Sequence, residues 1–82
     1  MMMQFWMKNT LVSLDIIFIG ADKKITAVRD RLSASSERTP DADVARAGGL
    51  AQYVLELPAG AAARRKLAAG QTLSFDVAIP DR

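Results

Sequence analysis

The sequence predicts a small, mostly β fold with one short helix, a β-rich α+β domain in which the strands form a partly open, barrel-like sheet. Three observations lead to this prediction. Apolar and polar side chains alternate with period two in several short segments. One alanine-rich stretch has the end signals of a helix. The chain has 82 residues and no cysteine, which suits a single domain over residues 1–82 without disulfides.

Three strands are predicted in the first part of the chain. Residues 3–7 alternate, with Trp6 on the face opposite to the methionines and phenylalanine. Residues 14–19 are almost all apolar and rich in β-branched side chains, as in a central strand that is covered on both faces. A polar turn at residues 21–24 then leads into a returning strand over residues 25–32, whose charged second half indicates the edge of a sheet.

The second part of the chain is predicted to contain a loop, two strands and the helix. Residues 33–49 have no hydrophobic period and predict a poorly ordered surface loop. Residues 50–57 alternate well and predict a strand. Pro58 suits the first turn of a helix over residues 59–68, with three cations near its C-terminal end and Gly70 closing it. Residues 72–79 show the clearest alternation and predict the last strand.

Composition excludes several classes of function. The chain lacks histidine and cysteine, so zinc, thiol and serine-histidine chemistries have no residues to use, and we expect no metal and no cofactor. The net charge of +2 is small, and the basic cluster Arg64-Arg65-Lys66 suits a solvated helix end, so no nucleic acid is expected. No apolar run approaches the roughly 20 residues of a membrane span. The first residues lack the features of a signal peptide, and the compartment stays unknown.

The most informative polar segment follows the aromatic pair at residues 5–6. Lys8 offers a cation, Asn9 an amide, Thr10 a hydroxyl and Trp6 a flat apolar wall, which together suit an anionic or sugar-like ligand. Two plainer interpretations stay open. Residues 8–10 suit a turn in which asparagine adopts an unusual backbone conformation, and tryptophan is more often part of the core than a ligand platform.

Two carboxylates differ from the others because they lie within strongly apolar strands. Asp15 opens the predicted central strand, and Glu56 lies in the predicted strand at residues 50–57. Each is either a solvent-facing residue of an amphipathic strand or a partly buried, paired group, since an unpaired buried charge costs several kcal/mol. They are also the best candidates for an acid and a base in an enzyme of the hydrolase type.

Motifs across nearly the whole chain resemble a prokaryotic family known as domain of unknown function 192. The matching segments are Phe5-Trp6-Met7-Lys8-Asn9-Thr10, Leu14-Asp15-Ile16-Ile17-Phe18-Ile19 with Asp22, Thr39-Pro40, Tyr53-Val54-Leu55-Glu56-Leu57 with Ala59-Gly60, and Ala69-Gly70-Gln71. Ser13 and Gly20 depart from the family pattern. The resemblance implies a compact β-rich fold with a short helix and, in relatives, frequent export or a periplasmic location. It implies no activity.

Family domains usually carry a further few dozen residues before the tryptophan motif, so this chain is expected to be an N-terminally incomplete version of the domain. A sheet lacking those residues would have an unfilled edge, and pairing with a second copy would cover it, which predicts a homodimer. The preferred function is binding of a small polar or anionic ligand by Trp6, Lys8, Asn9, Thr10, Asp15 and Glu56. The alternatives are a hydrolase-like enzyme using Asp15 and Glu56, and a structural or assembly module without a ligand.

Overall fold

The structure, a computed structural model, describes residues 1–73 of the chain. Most of the last predicted strand, residues 72–79, lies outside the described residues. The described part contains five strands, one short α-helix and a 3-10 turn. In chain order they are β1 (Met2–Trp6), β2 (Leu14–Ile19), β3 (Ile25–Leu32), the 3-10 turn (Asp41–Asp43), β4 (Arg46–Leu50), β5 (Tyr53–Pro58) and α1 (Ala61–Arg64).

The strands form two antiparallel sheets. Strands β1 and β4 pair in a two-stranded ribbon, and the three-stranded sheet has the order β3-β2-β5. These two sheets are not closed into a barrel within residues 1–73. The prediction of a mostly β fold with one short helix is confirmed, with β2 central in its sheet and the charged strand β3 at an edge.

Strand β2 separates two apolar layers. Successive side chains of a strand point to opposite faces, so Ile16 and Phe18 lie on one face and Ile17 and Ile19 on the other. The first pair packs with inward residues of the ribbon, such as Phe5, and the second pair packs with Ala62 of α1. All four β2 side chains are fully buried. The continuous apolar run of β2 therefore reflects cover on both faces, as predicted.

The predicted loop at residues 33–49 is wrong in its last part, because Arg46–Leu50 forms β4. Two of the five residues of this strand are glycines, which hides the alternation from the sequence. Gly49 is buried, and a Cβ atom built on it would lie 2.8 Å from two atoms of the Phe18 ring. The strand therefore needs glycine at this position so that the ribbon can approach the three-stranded sheet closely.

The helix is shorter than predicted. Pro58 ends β5 instead of starting the helix, which is tolerated because β5 is an edge strand among the described residues and proline lacks the N–H needed for a central ladder. Gly60 precedes α1 with a φ of 93°, and α1 spans only Ala61–Arg64. Lys66 has a φ of 55°, a left-handed conformation that ends the helical path. The predicted strand at residues 50–57 also divides, because Leu50 belongs to β4 and β5 begins at Tyr53.

Candidate functional site

Residues 7–10 form a tight turn after β1. The Thr10 N–H donates to the Met7 carbonyl at 3.1 Å, and Asn9, the third residue of the turn, has a φ of 55°. Asparagine tolerates this left-handed backbone better than most residues do. The Thr10 hydroxyl donates to the Lys8 carbonyl at 3.3 Å. The turn interpretation of residues 8–10 therefore describes the backbone, while the side chains of Lys8 and Asn9 remain exposed.

Ser35 fixes this turn from a distant part of the chain. Its side chain is buried and its hydroxyl donates to the Met7 carbonyl, while its backbone N–H donates to the Thr10 carbonyl at 2.7 Å. The Met7 N–H in turn donates to the carbonyl of Ala45 at 2.9 Å. A buried methionine side chain and these backbone contacts hold the turn in one position relative to the ribbon.

Trp6 lies on the outer face of the ribbon with two cations beside its indole ring. It is 37% exposed. The Arg46 guanidinium carbon lies 4.6 Å from the ring centroid and the Lys8 Nζ atom lies 4.9 Å from it. Arg46 is the cross-strand partner of Trp6, and Lys8 follows Trp6 by two residues in the turn after β1. We call residues 6–10 together with Arg46 the corner.

Asp41 closes the corner with two contacts. Its Oδ1 atom lies 3.4 Å from Lys8 Nζ, and its backbone carbonyl accepts a hydrogen bond from Arg46 Nη2 at 3.3 Å. The two side chains of the ion pair are 45% and 64% exposed, so the pair is screened by water and contributes little to stability. One residue of the 3-10 turn thus contacts both cations that flank Trp6.

Asp15 is fully buried and satisfied by backbone donors. Its Oδ1 atom accepts hydrogen bonds from the Arg31 N–H at 2.8 Å and the Gly60 N–H at 3.2 Å, and its Oδ2 atom accepts one from the Ala62 N–H at 2.8 Å. Arg31 has a φ of 55° where the register of β3 against β2 shifts. Asp15 therefore joins β2, an irregular point of β3 and the start of α1.

The same contacts set the pKa of Asp15. Burial is the largest single influence and acts to raise it, because water no longer solvates the charged form. The three backbone hydrogen bonds and the positive charge of Arg31 act in the opposite direction and together outweigh burial. The pKa of Asp15 is consequently lower than the usual aspartate value of 3.8, and the group is a carboxylate at neutral pH.

Glu56 lies on the other face of the three-stranded sheet. In the β2 and β5 register Glu56 is opposite Ile16, whereas Asp15 is opposite Leu57, so the two carboxylates point to opposite faces. The Glu56 side chain is exposed and makes no ion pair or hydrogen bond with another residue of the range 1–73. The structure does not bring Asp15 and Glu56 together as an acid and base pair, nor does it join Asp15 to the corner.

A family comparison covers nearly the whole chain. Residues 1–75 match the model of the DUF192 family, whose description is "Uncharacterized ACR". The chain belongs to the DUF192 family. This confirms the family resemblance drawn from the tryptophan motif and the strands that follow it. No curated protein and no solved structure matches this DUF192 chain significantly.

Three residues at the corner of this DUF192 domain were not predicted as site residues. Arg46 and Asp41 lie in the segment that the sequence predicts to be a loop, and Ser35 is a single hydroxyl in a polar stretch. The paired glycines after Arg46 are the one signal that a close-packed strand was present. The carboxylate that pairs with Lys8 is that of Asp41, and neither Asp15 nor Glu56 contacts Lys8.

Two further findings concern the described part of the DUF192 chain. Across residues 1–73, no helix has the length and apolar character needed to cross a membrane. In the same range, acidic side chains do not gather in any group of three or more that could hold a metal ion.

Proposed function

We propose that the corner of this DUF192 domain binds a small anionic ligand such as a carboxylate or a phosphate. The observation that carries the proposal is the convergence of Lys8 and Arg46 on one exposed indole ring, both within 5 Å of its centroid. The ring attracts both cations and limits the conformations of their long side chains. Two positioned cations next to solvent favour binding of an anion.

The neighbouring groups suit the same ligand. The Asn9 amide is exposed and offers two donors, and its backbone conformation is fixed by the turn. The Thr10 hydroxyl donates to the Lys8 carbonyl, so its lone pairs can accept from a protonated phosphate oxygen but offer no hydrogen bond to a carboxylate. Asp15 and Glu56 have no part in this proposal, because Asp15 is buried under α1 and the structure shows no contact between Glu56 and the corner.

Trp6 provides a direct test, because it is the single tryptophan of the chain and its fluorescence reports on the corner alone. Titration with inorganic phosphate or acetate at constant ionic strength is expected to change the emission saturably. Lys8→Gln and Arg46→Gln should each weaken binding by about 5- to 20-fold, since each removes one charge-assisted contact. Raising the sodium chloride concentration should weaken binding further.

Lys24→Gln serves as the matched control for this titration. Lys24 is exposed in the turn between β2 and β3, away from the corner, and the substitution removes the same charge. It is expected to leave the affinity within twofold of the unsubstituted chain. Emission that responds to phosphate no more than to chloride, or that responds equally after Lys8→Gln, would contradict an anion site at the corner.

The predicted homodimer also has support on the ribbon. Met2 and Leu50 are cross-strand partners on its outer face and are 61% and 60% exposed. An exposed apolar pair on a two-stranded ribbon favours contact with another copy of the chain. Light scattering is expected to give a mass near twice 8.9 kDa, and Leu50→Glu to shift it toward one chain. A measured mass of one chain at every protein concentration would contradict the predicted dimer.

A further inference from the structure

Asp41 makes with the corner the contacts that a ligand would make. Its carboxylate is paired with Lys8 at 3.4 Å and its backbone carbonyl accepts from Arg46 at 3.3 Å. A side-chain anion and a main-chain carbonyl on the same residue are the two acceptors that an aspartyl residue of a peptide presents. The residue before it, Pro40, has φ −57° and ψ 141°, an extended conformation that a bound peptide commonly adopts.

From this arrangement we infer that Asp41 is an internal pseudo-ligand, and that the ligand that displaces it is an acidic peptide segment carrying an aspartate. This inference rests on the proposed anion site and specifies its ligand class. Both side chains of the ion pair between Lys8 and Asp41 are exposed, so the pair is weak and opens readily. An external aspartate can therefore replace Asp41 beside Lys8 with little loss of free energy. By occupying the corner, Asp41 lowers the apparent affinity of the corner for an external anion.

The first experiment measures the competition by Asp41. Fluorescence titration of Asp41→Asn with acetate is expected to show binding about two- to fivefold tighter than in the unsubstituted chain, which is the range expected for release of an exposed ion pair. Asp43→Asn is the matched control, because Asp43 is an exposed carboxylate of the same 3-10 turn and makes no ion pair with another described residue. It should change the affinity less than 1.5-fold, by roughly what a distant screened charge contributes. Equal effects of the two substitutions would overturn the pseudo-ligand role.

The second experiment tests the ligand class. The probe is the acetylated and amidated tetrapeptide Thr-Pro-Asp-Ala, which copies residues 39–42 of the chain. It should bind Asp41→Asn at least tenfold more tightly than acetate does, and the same peptide with asparagine for aspartate should not bind. If acetate and phosphate bind at the corner but the peptide binds no better than acetate, the peptide inference fails and the anion site stands. If no anion changes the emission, the proposed function itself fails.

Discussion

Asp15→Asn is expected to lower the free energy of unfolding by about 2–4 kcal/mol at pH 7, the cost of leaving buried donors without their charged acceptor. The asparagine carbonyl replaces one carboxylate oxygen, but the amide NH2 places donors opposite a backbone N–H. With the carbonyl on the side of Arg31 and Gly60, the Ala62 N–H loses its acceptor. Urea denaturation followed by circular dichroism measures the change.

The pH dependence distinguishes loss of the charge from a general packing defect. Because the pKa of Asp15 is lower in the folded chain than in the unfolded chain, the unfolded chain binds the proton first as the pH falls. The Asp15 carboxylate therefore makes its full contribution to the free energy of unfolding at pH values well above 3.8. This contribution decreases as the pH falls through 3.8 toward the pKa of the folded chain. The difference between the unsubstituted chain and Asp15→Asn should accordingly be smaller at pH 3 than at pH 7.

Asp30→Asn is the matched control for Asp15→Asn. Asp30 is exposed on β3, next to the irregular point that Asp15 holds, and its side chain makes no hydrogen bond or ion pair with another residue of the described range. Its substitution is expected to change the free energy of unfolding by less than about 0.5 kcal/mol. Stabilisation by the Asp15 carboxylate would be rejected if both substitutions had the same effect, or if the Asp15→Asn difference were equal at pH 3 and pH 7.

Gly49→Ala is expected to destabilise the fold by about 1–3 kcal/mol through overpacking. The new Cβ atom would lie 2.8 Å from the Cγ and Cδ2 atoms of Phe18 and 3.2 Å from its Cβ atom. Phe18 is fully buried near the end of β2, and in a close-packed interior its ring can move only by displacing its neighbours. The ribbon and the three-stranded sheet must then separate locally. Thermal unfolding should show a melting temperature lowered by about 4–8 °C per kcal/mol for a domain of this size.

The neighbouring glycine gives an internal comparison for this prediction. A Cβ atom on Gly48 would meet the Met3 carbonyl at 3.6 Å and Gln4 Cγ at 4.0 Å, which are ordinary contacts. Gly48→Ala is therefore expected to be neutral or stabilising by up to about 1 kcal/mol, because alanine reduces the entropy of the unfolded chain. Of these two adjacent glycines, only Gly49 should lose stability on substitution, and similar losses at both would contradict the close contact with Phe18.

Strands could be predicted from the sequence where apolar and polar side chains alternate. They could not be predicted where glycines pack closely and the alternation is missing. The alternation of residues 3–7 was enough to place Phe5 and Trp6 on opposite faces of β1, and the apolar run of β2 was enough to predict a strand covered on both faces. Strand β4 carries no such pattern, because its packing against Phe18 depends on the absence of a side chain at Gly49. Glycine in a loop and glycine in a tightly packed strand look alike in one sequence.

The corner could be predicted only in part. Lys8, Asn9 and Thr10 are contiguous with Trp6, so local sequence places them together. Arg46 and Asp41 join them through the pairing of β1 with β4, a contact that one sequence does not specify. Asp15 was predicted as a site residue because a carboxylate in an apolar strand is unusual. Its donors are backbone N–H groups of Arg31, Gly60 and Ala62, which have no signature in residue type.

The pairing of β1 with β4 has a consequence for how the chain matures in the cell. Met2 is opposite Leu50 and Trp6 is opposite Arg46, so β1 is synthesised before its partner β4 and its pairing is complete only after residue 50 has been added. Its apolar face stays uncovered during that interval, and closing so long a loop delays its pairing. The nascent β1 segment therefore exposes apolar side chains to which a chaperone can bind before β4 is available.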